Sequence, residues 1–151
     1  MDRLTTLYQI EKASGSIRGR PSFQVTLRTS NILELRGDPL VSFGVHTHNH
    51  MNLGMLSNEK AQIEIASSKL ELERLVNREC KYFSYPIGKR SNFNDETKKI
   101  LSDEGFLAAV TTIPGRISRK SNLLELRRIS VPNDSAYRFK CSLIGFALQR
   151  S

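Results

Sequence analysis

Leu40-Val41-Ser42-Phe43-Gly44-Val45-His46-Thr47-His48-Asn49-His50 is the stretch whose reading decides the fold. An apolar run leads into a histidine cluster, and all 3 histidines of the chain lie between positions 46 and 50. Such a run, bounded by turn residues, predicts a buried strand from Leu40 to Val45. Open sheets and barrels carry their chemistry beyond the C-terminal ends of parallel strands, where these histidines would stand. His46 and His50 are four residues apart. On a helical turn that spacing puts them on one face, with about 5–6 Å between Cβ atoms. Two neutral imidazoles so placed can grip one metal ion. His48 points away from the pair at this spacing and reads as a supporting or exposed residue.

Upstream, Thr29 or Ser30 can cap a short helix from Asn31 to Arg36, ended by Gly37, and Asp38-Pro39 turns the chain. Downstream, Ser57 is an N-cap for a long helix from Asn58 to Asn77, with Ala61, Ile65, Leu72 and Val76 along one stripe. Tyr82 to Tyr85 reads as a strand stopped by Pro86 and Gly88. Asn94 or Asp95 caps a helix from Glu96 to Glu104, and Gly105 follows as its C′ residue. Strands are predicted at Phe106 to Thr111 and Leu126 to Val131, then a helix from Ser135 to about Leu148. Residues 1–28 stay unassigned, although Leu4, Leu7, Tyr8 and Ile10 fit a short helix and Phe23 to Leu27 alternates like a strand. The alternation of strand and helix predicts an α/β fold with a parallel sheet.

The 151 residues suit one domain, with 38% hydrophobic residues and a formal net charge of +8. The basic residues are scattered, without an aromatic RNA-binding signature or a helix-turn-helix pattern. They read as a solvated surface with no specific nucleic-acid partner. No run approaches a membrane span and no signal-peptide core is seen, so the chain as written is expected in the cytoplasm. A longer form could carry an export signal. Cys80 and Cys141 show no C-x-x-C spacing and read as two reduced, partly buried thiols.

Gly44 to Leu53 resembles the second motif of the polysaccharide deacetylases, the NodB-homology group or carbohydrate esterase family four. In its loose form H-[ST]-x-x-H-x-x-L, His46 and His50 match the metal-binding histidines and Thr47 the hydroxyl residue. Lys81-Tyr82-Phe83-Ser84-Tyr85-Pro86-Ile87-Gly88 is similar to the family's [FY]-x-[YP]-P-[YF]-G motif. Leu101 to Thr112 resembles the helix–Gly–strand unit that follows. Order and spacing agree from about Thr29 onward, so residues 29–151 look like a partial deacetylase-like domain.

The resemblance implies an incomplete, distorted (β/α) barrel and hydrolysis of acetamide C–N bonds on an acetylated glycan or oligosaccharide. It implies a divalent metal, commonly zinc, held by His46 and His50, and held weakly in this chain because two protein ligands grip an ion poorly; the metal polarises the carbonyl and lowers the pKa of bound water. Tyr85, Pro86, Ile87 and Gly88 would form the groove wall, with the Ile87 backbone N–H as an oxyanion donor. The family usually has an aromatic at the position of Ile87.

The family's opening T-F-D-D-G-like motif supplies a general base and a third metal ligand. No Asp-Asp pair occurs in this chain, and no histidine follows His50 to match the family's late general acid. Arg127 to Val131 resembles the ending of relatives that also lack that histidine. The catalytic base is thus unmatched, with Asp95 and Asp134 read as helix cap and turn. The expectation is a truncated, weakly active or inactive form, or else a remnant that binds sugar or metal without catalysis.

Overall fold

Strand and helix alternate along the described part of the chain, which in the computed structural model is residues 27–130, 139–141 and 144–145. The helix expected around Leu4 to Ile10 lies outside it, as does all but Leu27 of the strand expected from Phe23 to Leu27, and Leu27 is not in a strand. Most of the helix expected over 135–148 also lies outside it, and of that helix 139–141 and 144–145 are helical. The elements are α1 (Thr29–Leu35), α2 (Asn58–Val76), β1 (Tyr82–Ser84), α3 (Asp95–Asp103), β2 (Ala108–Pro114) and β3 (Leu126–Arg128). The strands form a parallel sheet in the order β1-β2-β3, and Val45 adds a parallel bridge to Phe83. This is a partial α/β barrel. No helix among the described residues is long and apolar enough to cross a membrane.

Local chemistry sets the helix ends. Ser57 accepts from the Lys60 N–H at the start of α2, and Asn77 closes it in the left-handed conformation at φ 55°. Asn94 is the cap of α3, its side chain accepting from the Thr97 N–H at 2.8 Å. α1 starts earlier than expected because neither Thr29 nor Ser30 caps it. Instead Asn31 reaches back to accept from the Arg28 N–H at 3.0 Å.

The strand expected from Leu40 to Val45 shrinks to the single bridge at Val45. Leu40 is 92% exposed. Local turns take the hydrogen bonds that a ladder would have used. The Asp38 carboxylate accepts from the Leu40 N–H at 2.8 Å, and the Asp38 carbonyl accepts from Val41 N–H at 3.2 Å. Arg78 donates to the carbonyls of Arg36 and Val41. Strand β2 also begins two residues later than expected, and β3 stops at Arg128.

The sheet divides its residues by parity. Phe83, Tyr85, Ala109 and Thr111 are buried. The three that are apolar join Ile65 and Leu72 of α2 and Leu101 of α3 in one core. Phe83 meets Tyr85 and Phe106 edge-on at 5.3 and 5.4 Å, and Tyr85 stacks on Phe93 at 4.3 Å. Lys69 ties α2 to α3 by donating to the Glu104 carbonyl at 2.5 Å beside the Phe106 ring. Cys80 is buried and free, and burial, then Glu73, pushes its thiol up to about 11. Cys141 is exposed and free, against the expectation of two partly buried thiols.

Two short 3₁₀ turns, Leu53–Met55 and Arg90–Asn92, pack on each other just beyond the two motif loops. Their contact depends on Gly54. A Cβ there would collide with the Ser91 carbonyl oxygen and stand 3.0 Å from Asn92 C and 3.1 Å from Phe93 N. These are backbone atoms that cannot swing aside. Gly54→Ala is therefore expected to destabilise the protein by about 1–3 kcal/mol, as overpacking does. Urea unfolding measures it, and a neutral result would show that the turns separate freely.

Candidate functional site

The histidine loop leaves the sheet at Val45. Val45 N–H donates to the Tyr82 carbonyl at 2.9 Å, and Ser84 N–H donates back to the Val45 carbonyl at 2.8 Å. That register places His46 beside Ser84. The His46 Nδ1–H donates to the Ser84 carbonyl at 2.6 Å, which fixes the tautomer and leaves Nε2 as a lone-pair donor. The His50 ring meets it edge-on, with centroids 4.8 Å apart.

The two rings converge, but not along a helical turn as the spacing suggested. Residues 46–50 form a loop in which Thr47 (φ 61°) and His50 (φ 56°) take left-handed backbone. Ile87 does the same at φ 61°, so three of the four non-glycine residues with positive φ among those described sit in the two motif loops. The fourth is the cap Asn77. Such conformations cost of order 1–3 kcal/mol each and cluster at functional sites. Thr47 is buried, and its hydroxyl has no hydrogen-bond partner among the described residues.

His48 leaves the pair, as expected, and its Nδ1 lies 3.2 Å from Glu71 of α2. The neighbouring Glu64 holds the loop at two points. It accepts from the Asn49 backbone N–H at 2.8 Å and from the Asn49 side-chain amide at 2.7 Å. Sequence reading missed Glu64. The available signal was an acidic residue beside the buried Ile65 on the helix stripe.

The second motif loop lies at the same end of the sheet, and both loops open into one cleft of about 850 Å³. Tyr85, Pro86, Ile87 and Gly88 take different places. The Tyr85 ring turns into the core, and its hydroxyl donates to the Leu124 carbonyl at 2.8 Å. Burial, reinforced by Glu125, pushes the Tyr85 hydroxyl well above its usual range. Pro86 is fully buried. Gly88, at φ 68°, lies so close to β2 that a Cβ would stand 2.8 Å from Thr112 N. Ile87 is 46% exposed and lines the cleft, and its backbone N–H has no acceptor among the described residues.

Ser84, Val110, Thr112, Leu126 and Arg128 line the cleft as well as the histidines, and among the described residues no aspartate or glutamate does. Burial lowers the pKa of His46, and His50 and Arg128 add to this against the hydrogen bond it donates to the Ser84 carbonyl. This favours the neutral form of its imidazole. Asp38 is spent on the Leu40 turn. Asp95 pairs with Lys98 at 2.7 Å, and that contact holds its carboxyl below the usual range. Asp134 lies outside the described residues. Two imidazoles, one with its tautomer locked, fit the donor chemistry of a divalent metal such as zinc. No third His, Cys, Asp or Glu joins them among the described residues.

A parallel sheet with converging histidines at the mouth of an open cleft defines a barrel-type α/β protein with its site at the C-terminal ends of the strands. The chain belongs to the polysaccharide deacetylase family, whose model matches residues 6–109. YxkH of Bacillus subtilis (strain 168), which carries a polysaccharide deacetylase name, is 33% identical over 91 residues, covering 60% of this chain and 32% of that protein. The deacetylase PplD of Streptococcus pyogenes, solved in complex with acetate, superposes with a TM-score of 0.68 at 30% identity, over 80% of this chain and 50% of that one. The polysaccharide deacetylase BC0361 of Bacillus cereus shares the fold, with a TM-score of 0.68 at 24% identity, over 81% and 38% of the two chains. The chain thus spans about a third of its curated relative and half or less of these solved structures.

Proposed function

We propose that the protein is a carbohydrate hydrolase of the deacetylase type, acting on acetamide groups of an acetylated glycan with a divalent metal, zinc by preference. The observation that carries this reading is the pairing of His46 and His50 with the His46 tautomer set by the Ser84 carbonyl. His46 through Nε2, together with His50, would hold the ion, which supplies polarisation of the acetyl carbonyl. The chain's own groups supply the rest. The Ile87 N–H, without an acceptor among the described residues, suits an oxyanion donor, and Arg128 adds positive charge to the cleft. Ile87 gives the sugar no aromatic stacking face.

A second reading, a fold that binds metal or sugar without turnover, is favoured by one observation. No carboxylate lines the cleft among the described residues, and on the metal reading both histidines are taken as ligands, which leaves no described lining residue to act as a general base.

Zinc calorimetry tests the shared premise. One ion per chain is expected, and the double variant His46→Ala, His50→Ala should lose at least roughly a hundredfold in affinity, since it removes both protein ligands. Metal binding needs neutral imidazole. The lowered pKa of His46 means that protons compete for it only below the ordinary histidine value of about 6.5. NMR titration of the His46 ring should show this midpoint below 6.5, with zinc affinity falling as pH drops through it. Equal zinc affinity in the double variant would overturn the metal reading.

A further inference from the structure

We propose that Glu64 of α2 is the positioning residue of the histidine pair: its carboxylate clamps Asn49 and so presets the loop that brings His46 and His50 together. The inference rests on the metal reading above for its functional meaning, but its geometry is independent of any ion. His46 needs no such help, because the Val45 bridge and the Ser84 carbonyl already place it. His50 is different. It follows Asn49 directly and itself takes left-handed backbone, as does Thr47 before it. A β-branched residue does not enter that region unaided. The alternative without strain is a relaxed loop with His50 swung away from His46.

Glu64 opposes that relaxation at the right point. Both carboxylate oxygens are used, one on the Asn49 backbone N–H and one on its side-chain amide. Bonds to an ionised acceptor are the stronger kind, and a two-point clamp fixes orientation as well as distance. The anchor is rigid, since Glu64 stands beside the fully buried Ile65 on a 19-residue helix. His48 paired with Glu71 gives the loop a second tie on the same helix. That tie is exposed, as the Asn49 bonds are, but it makes one contact where Glu64 makes two.

The test compares the whole chain with Glu64→Ala and with the exchanged pair Glu64→Gln, Asn49→Asp. In the exchanged pair a glutamine oxygen accepts from the backbone N–H and its amide donates to the new carboxylate, so both bonds return with net charge kept. Amide exchange and ring-to-ring NMR contacts are read on metal-free protein, and zinc affinity by calorimetry. In Glu64→Ala, Asn49 amide protection should fall at least tenfold and the His46–His50 ring contact should vanish. Zinc should bind roughly 10–100-fold more weakly, the usual effect of removing a group that orients a ligand. Protection of the Ser84 and Tyr85 amides should not change, which separates positioning from general loss of structure. The exchanged pair should recover both loop signals and zinc affinity. If Glu64→Ala does not fold, Asn49→Ala removes only the side-chain bond and should show a partial loss of the same signals. If the native chain binds no zinc, the metal reading falls, and the clamp is then decided by the ring contact alone. A ring contact and Asn49 protection that survive Glu64→Ala, or survive Asn49→Ala undiminished, would overturn the proposal.

Discussion

Supplied with zinc or cobalt and an N-acetylated chitooligosaccharide, the chain of residues 1–151 is expected to release acetate no faster than its His46→Ala, His50→Ala variant. Hydrolysis needs a group that takes a proton from the attacking water, and such a group contributes roughly 10²–10⁴-fold. Among the described residues the cleft holds two imidazoles, a guanidinium and a backbone N–H without an acceptor, but no carboxylate. Asp38 and Asp95, the nearest candidates in sequence terms, are held elsewhere by the Leu40 N–H and by Lys98. On the metal reading proposed above the two histidines are ligands, and a ligand imidazole cannot serve as the base as well. Formate, a small carboxylate that can enter an open cleft, should therefore raise the rate in proportion to its concentration, and only when both histidines are present. Robust histidine-dependent turnover without formate would show that a carboxylate from elsewhere in the chain reaches the site.

The histidine pair was legible because its chemistry is written in residue types, while its geometry was not. Spacing of four suggested a helical face. The rings do meet, but through a loop whose shape is set by Glu64, fourteen residues on from His50 in sequence. No local pattern announces a clamp between a loop and a helix. The helices α2 and α3 were legible for the opposite reason, because Ser57, Asn94 and Gly105 act on their own neighbours. The strand at Leu40 failed at the same level. Apolar residues predicted burial, but the Asp38-Pro39 turn and the Arg78 side chain took up the backbone hydrogen bonds. The groove loop was half legible. Its turn was marked by Pro86 and Gly88, but the Tyr85 ring points into the core, since parity puts it on the same face as Phe83.

That parity makes Phe83 the residue on which stability and site depend together. Phe83→Ala is expected to cost about 3–5 kcal/mol, the range for emptying a buried aromatic position. Phe83 is 2% exposed, and its ring meets both Tyr85 and Phe106. Small domains hold only about 5–15 kcal/mol in total, so a large share of the margin goes with one ring. The loss should also reach the histidines. Phe83 pairs with Val45 across the bridge, and the next residue, Ser84, supplies the carbonyl that orients His46. Tyr85→Phe is the matched control. It keeps the stack on Phe93 and removes only the bond to the Leu124 carbonyl, at about 0.5–1.5 kcal/mol. Urea unfolding with the His46 ring resonance followed in parallel separates the two. Phe83→Ala should unfold and shift His46 at denaturant levels where Tyr85→Phe, with its smaller loss, is still folded with His46 in place. A cost below about 1 kcal/mol for Phe83→Ala would mean that the core refills the space and that the sheet does not depend on this ring to hold the histidine loop in place.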